Sequence, residues 1–181
     1  MPGARGESAW VRGAQAGSVS DLEALFRAHW PRAHRAAYLV VHDAAAAEDI
    51  AQEAFLAAVR HLDRFDRRRP FGPWLHRIVV NRAIDWARAR SLRGEVPEPA
   101  LEPALVGGGA DGPPLDVYSP PVVAALGALT PEHRAVIVMR HLLDYTPGEI
   151  AEALGLPRGT VNSRLRRGLD ELAGRLEEDV Q

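Results

Sequence analysis

The stretch from Tyr145 to Leu172 constrains this chain most, because its turn residues and apolar spacing fit together only as two short helices meeting at a tight turn. Thr146, Pro147 and Glu149 supply a hydroxyl cap, a proline at the first helical position and a carboxylate able to reach back, which together predict a helix start. Ile150, Ala151 and Leu154 form one short apolar face, and Gly155 stands where a helix ends in the left-handed conformation. Leu156 and Pro157 then lead into a second helix with Val161, Leu165, Leu169, Leu172 and Leu176 at helical spacing. The small Ala151 permits a close crossing, and Val161 is placed to lock the second helix on the first. Opposite the apolar stripe lie Ser163, Arg166 and Arg167, with Asn162 and Arg164 on its flanks. This is a helix-turn-helix presenting cations to phosphates and base edges. An ordinary helical hairpin with a solvated polar face would share the periodicity, but it would not require turn chemistry, spacing and a cationic face to coincide.

If DNA is the partner, positive charge has to be local, since the 181 residues carry a formal net charge of −2. That length allows one medium domain or two small ones, and two fit better. Cysteine is absent, which excludes disulfides, a thiol nucleophile and cysteine-held zinc and suits a reducing compartment. Apolar runs such as Ala36 to Val41 are too short to cross a bilayer, and the N-terminus lacks a signal-peptide pattern. The expectation is a cytoplasmic protein without membrane insertion. The histidines at 29, 34, 42, 61, 76, 133 and 141 lack metal-ligand spacing, and no glycine-rich phosphate loop follows a strand. No metal, cofactor or catalytic residue is expected, and the chain is not read as an enzyme.

Read in order, residues 1–19 are rich in Gly, Ala and Ser, with Trp10 the only large anchor, and are expected to form a flexible tail. Ser20 and Glu23 form a capping-box pattern, after which Leu22, Leu25, Phe26 and Trp30 repeat at helical spacing. Pro31 is expected to kink or split this helix, which resumes through Tyr38 and Val41. After a turn at His42 and Asp43, a further helix places Ile50, Ala54, Phe55, Val59 and Leu62 on one face. Asp49, Gln52, Glu53 and Leu56 point elsewhere. A leucine among carboxylates fits a protein partner with basic residues around an apolar socket.

From Arg60 to Arg93 the charge inverts: ten arginines face three aspartates, with Phe65, Phe71, Trp74 and Trp86 interleaved. Cations with aromatic rings are what single-stranded nucleic acid requires. Leu75, Ile78, Val79 and Ile84 mark a buried stripe, and Trp74 suits the core as well as it suits a base. Residues 94–119 are rich in proline and glycine and acidic without a basic residue beyond Gly94, which predicts a flexible acidic linker with no tendency to adhere to DNA. Residues 120–178 then form a second helical unit, with Thr130 and Pro131 capping a helix that carries Val136, Ile137, Met139 and Leu142. The expected fold is all-α: a unit at 20–93 and another at 120–178, joined by the linker and ending in the helix-turn-helix.

From Leu22 to about Leu176 the chain resembles the extracytoplasmic-function group of bacterial sigma factors, the initiation subunits of RNA polymerase. Three stretches carry the resemblance: Ala47-Glu48-Asp49-Ile50-Ala51-Gln52-Glu53-Ala54-Phe55, Phe71-Gly72-Pro73-Trp74-Leu75-His76-Arg77-Ile78-Val79-Val80-Asn81, and Gly159-Thr160-Val161-Asn162-Ser163-Arg164-Leu165. It implies that Asp49, Gln52, Glu53 and Leu56 dock on core RNA polymerase. It implies that the segment from about Phe65 to Arg93, with Phe71, Trp74, Arg77, Asn81, Arg82 and Arg88, binds and opens the minus-ten promoter element, Asn81 lying near a flipped base. It places Thr160, Asn162, Ser163, Arg164, Arg166 and Arg167 over the minus-thirty-five element, although the family often has a basic residue where Asn162 stands. Core polymerase, promoter DNA and an anti-sigma factor are the implied partners. The competing expectation is a helix-turn-helix regulator that never joins polymerase and uses its first half for sensing or dimerisation.

Overall fold

The computed structural model describes residues 4–94 and 119–178, and the expected linker lies outside the described residues except at its two ends. Among the described residues the regular structure is helical throughout: α1 (Ala4–Gln15), α2 (Val19–Val41), α3 (Ala44–Arg60), α4 (Phe71–Leu92), α5 (Pro120–Gly127), α6 (Pro131–His141), α7 (Pro147–Leu154) and α8 (Arg158–Glu178). A single 3₁₀ turn at Leu62–Arg64 joins α3 to the segment before α4. No helix among them is long and apolar enough to cross a membrane.

The first half is built on α2, which packs against α1, α3 and α4. Two expectations fail at its start. Residues 4–15 form a helix and not a tail: Val11 is buried, Trp10 packs on the core, and Gln15 bonds to backbone nearly fifty residues away. The helix is stabilised by partners remote in sequence, which local composition could not reveal. The cap of α2 is Ser18, which accepts from Asp21 N–H, and not Ser20. Pro31 neither ends nor splits α2. It forfeits one ladder hydrogen bond, but Leu25 before it and Ala33, Ala36 and Ala37 after it are completely buried and hold both flanks in one line.

His42 closes α2 in the left-handed conformation (φ 53°), giving its N–H to Tyr38 O, and Asp43 caps α3 by accepting from Ala46 N–H. On α3, Ile50, Ala54 and Phe55 face the core as their spacing predicts. Val59, expected among them, is 40% exposed in the last turn of α3, just before the chain turns at His61.

In the second half α6 lies at the centre, against α8, α7 and also α2 and α4 of the first half. The two halves are therefore docked, and their buried residues form one continuous core. Polar groups line the seam. Arg134 donates to Val40 O (2.7 Å) and Leu129 O (2.9 Å), so that a guanidinium from α6 serves a carbonyl in the last turn of α2. His76 and the Tyr145 hydroxyl share a hydrogen bond of 3.0 Å, His42 Nε2 lies 3.1 Å from Val123 O, and Arg32 donates to Leu142 O and pairs with Asp144.

Candidate functional site

Three surfaces carry the residues singled out by the sequence. The first is the outer face of α8. Both halves of the capping box at Thr146 and Glu149 are present, Gly155 ends α7 at φ 64°, and Leu156 N–H bonds back to Ala151 O. These contacts fix the angle at which α8 leaves the turn. Val161 is fully buried and Leu165 nearly so. Burial of such side chains stabilises by roughly 1.5–3 kcal/mol each, enough to pin the rotation of the helix. That rotation leaves Asn162, Arg166 and Arg167 exposed and Thr160, Ser163 and Arg164 half-buried. Gly168 is buried where α8 crosses α6, and a side chain there would meet Ile137 and His133. Leu169, expected in the apolar stripe, is 39% exposed, since the stripe narrows beyond that crossing.

The second surface is the outer side of α3. Asp49, Gln52, Glu53 and Leu56 are all exposed, Leu56 at 55%. Gln52 donates to Glu48, and Glu53 pairs with Arg82 of α4 at 2.7 Å. The structure adds residues that α3 alone could not reveal. Phe26 of α2 is 40% exposed and stacks on Trp30 and against Phe55, so it joins Leu56 and Val59 in the exposed apolar part of this surface. Helical spacing placed Phe26 in series with Leu22, Leu25 and Trp30, and the structure shows its ring packed against Phe55 of α3. Asp49, Glu53, Asp85, Arg82 and Trp86 line a shallow hollow between α3 and α4.

The third surface is α4 with the loop at 61–70. Arg64, Arg67, Arg68 and Arg69 are exposed, and Arg68 holds Asp66 in a paired geometry. Phe71 does not belong to this surface. It is 2% exposed, wedged among Phe65, Trp74 and His29, because α4 enters the core at its first residue, so its ring cannot stack on a base. Trp74 is half-buried against Phe65 (4.6 Å between ring centres), and Arg77 is exposed. Asn81 gives its amide to Arg77 O and to Ala153 O of α7, while Arg88 pairs with Glu132 of α6 at 2.6 Å. Two of the expected strand-binding side chains are thus engaged by the other half of the molecule.

Electrostatics in the seam follow from burial. Desolvation lowers His76 to about 3, helped by nearby His29 and Arg32, and lowers His42 to about 3 with Arg134 adding repulsion. Both are neutral imidazoles at neutral pH. The same desolvation lowers Arg134 to about 10, which leaves it charged, and raises the Tyr145 hydroxyl. Among the described residues, no three His, Asp or Glu side chains converge in a way that could hold a metal ion.

The chain was compared with known proteins. Residues 25–93 match the family description "Sigma-70 region 2" and residues 121–172 match "Sigma-70, region 4". It is 32% identical to the RNA polymerase sigma-E factor of Streptomyces avermitilis, over 89% of this chain and 88% of that one. It is 34% identical to the ECF RNA polymerase sigma factor SigW of Bacillus subtilis, over 76% and 78%. Identity to SigL of Mycobacterium tuberculosis is 32%, over 93% and 96%. Among solved structures, CnrH in complex with the cytosolic domain of CnrY superposes with a TM-score of 0.67 at 25% identity, covering 96% of this chain and 99% of that one. RpoE of Bartonella quintana, solved with the anti-sigma factor NepR, gives 0.70 at 21% identity over 88% and 98%, a likeness of fold.

Proposed function

Because the chain belongs to the extracytoplasmic-function group of the sigma-70 family, we propose that its three surfaces divide the work of promoter recognition. The protein is an initiation factor that binds core RNA polymerase and directs it to promoters. Its partners are that core, promoter DNA and an anti-sigma factor, and its place of action is the cytoplasm. It contributes binding energy and strand positioning, with no chemical step of its own.

In this reading Asp49, Gln52, Glu53 and Leu56, extended by Phe26 and Val59, dock on polymerase. Trp74, Arg77, Asn81, Arg82 and Arg88, with the loop at 61–70, hold the opened minus-ten strand. Asn162, Arg166 and Arg167, flanked by Thr160, Ser163 and Arg164, meet the minus-thirty-five duplex. The observation that carries the assignment is the separation of signs on the molecule. The exposed face of α3 is acidic and apolar, whereas the loop at 61–70 and the outer face of α8 are rich in exposed arginines. Surfaces of different sign on one protein can then hold a basic protein partner and nucleic acid together.

Run-off transcription with purified core polymerase on a genomic promoter library tests this directly. Transcripts starting at a fixed distance from a shared pair of promoter elements are expected. DNA binding without any polymerase-dependent transcript would instead make the chain a helix-turn-helix regulator that acts alone.

A further inference from the structure

Helix α1 precedes the part of the chain that matches sigma-70 region 2, which begins at residue 25. Two of its polar side chains nevertheless reach the backbone on either side of the arginine-rich loop. Gln15 Nε2 donates to both Leu62 O (2.7 Å) and Phe65 O (3.1 Å), the carbonyls that bracket the 3₁₀ turn. One turn from the other end of α1, the Glu7 carboxylate accepts the Phe71 N–H at 2.6 Å. Phe71 is the first residue of α4, and Pro70 before it has no side chain able to cap. The first N–H groups of any helix lack partners within it. Glu7 therefore supplies from a distant helix the anionic cap that the local sequence omits. Glu7 also lies 3.4 Å from His29 Nε2 of α2, and this neighbouring imidazole is the chief cause holding its carboxyl below the ordinary range.

The loop between these anchors carries four exposed arginines and leads into Trp74. Arginines on a free loop would grip phosphates in any register. On a loop tied at both ends they meet the strand in one register, so that Trp74 and the polar groups of α4 face particular bases. We propose that Glu7 and Gln15 are positioning residues for minus-ten recognition, clamping the two ends of the 61–70 loop from a helix that precedes the region 2 match. This rests on the reading of that loop and α4 as the minus-ten surface.

The test uses the full chain with core polymerase and compares Glu7→Ala, Glu7→Gln and Gln15→Glu on a panel of promoters differing only in the minus-ten element. Glu7→Gln keeps an acceptor without the charge, and Gln15→Glu turns the donor into a group repelled by both carbonyls. The spread of initiation rates between best and worst minus-ten sequences should narrow about five- to tenfold for Glu7→Ala and Gln15→Glu, with Glu7→Gln intermediate. Core affinity should stay within about twofold. A uniform fall on every promoter, tracking the folded fraction, overturns the proposal by making α1 a stabilising helix only. Should Glu7→Ala fold poorly, exchange of the Phe71 amide hydrogen in folded Glu7→Gln decides: faster exchange than in the wild type supports the clamp, and unchanged exchange overturns it. If the wild-type protein itself shows no minus-ten preference with core polymerase, the reading of the loop fails. If it shows one that all three variants retain, this inference alone fails.

Discussion

Arg166 and Arg167 stand side by side and exposed on α8, yet they need not do the same work. A guanidinium lying bidentate on a guanine edge discriminates sequence by about 1–3 kcal/mol, whereas one on a phosphate holds every sequence alike. Arg167 follows Ser163 by one helical turn near the middle of the outer face, and Arg166 lies to one side. Arg167→Ala is therefore expected to flatten preference among minus-thirty-five variants. Arg166→Ala should weaken all of them and reduce the salt dependence, as binding to a duplex panel at two salt concentrations would show. On α3, reversing charge at exposed Asp49 and Glu53 is expected to weaken core association by about tenfold or more while leaving the circular dichroism spectrum unchanged. Loss of the Glu53–Arg82 pair contributes little to that result, because both partners are well exposed and such pairs are worth about 0–1 kcal/mol. Unaltered affinity in the folded double variant would remove α3 from the docking surface.

Among the elements, the turn between α7 and α8 was legible because each of its signals is local: Thr146, Pro147, Glu149 and Gly155 act on backbone within one turn of themselves. Gly155→Ala should cost about 1–2 kcal/mol in denaturant unfolding, since a side chain is strained at φ 64°. Two other glycines make a sharper comparison within α8. At Gly168 an added methyl would lie 2.9 Å from Ile137 Cδ1 and 3.2 Å from His133 Cβ, while at Gly174 it would meet nothing within 4 Å. Gly174→Ala is expected to stabilise by about 0.5–1 kcal/mol through helix propensity, and Gly168→Ala to destabilise as α6 and α8 are forced apart. Equal shifts in the two unfolding midpoints would mean that the crossing yields easily. Helix α1 was illegible for the complementary reason: Gly6 and Gly13 weaken its local signal, and its anchors lie on backbone 47 to 64 residues away. Phe71 was misread for a related reason. Cation and aromatic content single out the segment, but which ring turns inward is decided by how α4 meets Phe65 and His29.

For the whole molecule, composition and periodicity gave two helical units but could not show that they dock, because the seam joins side chains from segments separated in sequence. Its histidines make the docking sensitive to acid. His76 faces His29 and Arg32 of α2, Glu7 of α1 and Tyr145 ahead of α7; His42 faces Tyr38 of its own helix, Arg134 of α6 and the Val123 carbonyl of α5. Each has its folded value depressed to about 3 from an ordinary value near 6.5. The unfolded or undocked chain therefore binds protons more readily. The stabilisation is complete above about pH 6.5 and is lost progressively as pH falls toward 3. At pH 5 His76 alone accounts for about 2 kcal/mol of that loss. Denaturant midpoints should drop between pH 8 and pH 5, and the drop should shrink in His76→Gln; a midpoint flat across that range would show that the imidazole is not neutralised by the seam.

The docking also sets a limit on reach. Promoter elements named for positions ten and thirty-five lie about 25 base pairs apart, roughly 85 Å along B-form DNA at 3.4 Å per base pair. A compact body of about 150 residues has a radius of gyration of only ~15 Å. With Asn81 bonded to Ala153 and Arg88 to Glu132, α4 and α8 belong to one such body, and in the roles proposed above they cannot straddle that interval. The 24 residues at 95–118, drawn out at ~3.4 Å each, would cover about 80 Å. If α4 and α8 meet the two elements as proposed, the halves must part, and the free energy of the seam is then subtracted from the grip on polymerase. Tyr145→Phe, which deletes the hydrogen bond to His76, should accordingly tighten holoenzyme assembly a few-fold while lowering the stability of the isolated protein.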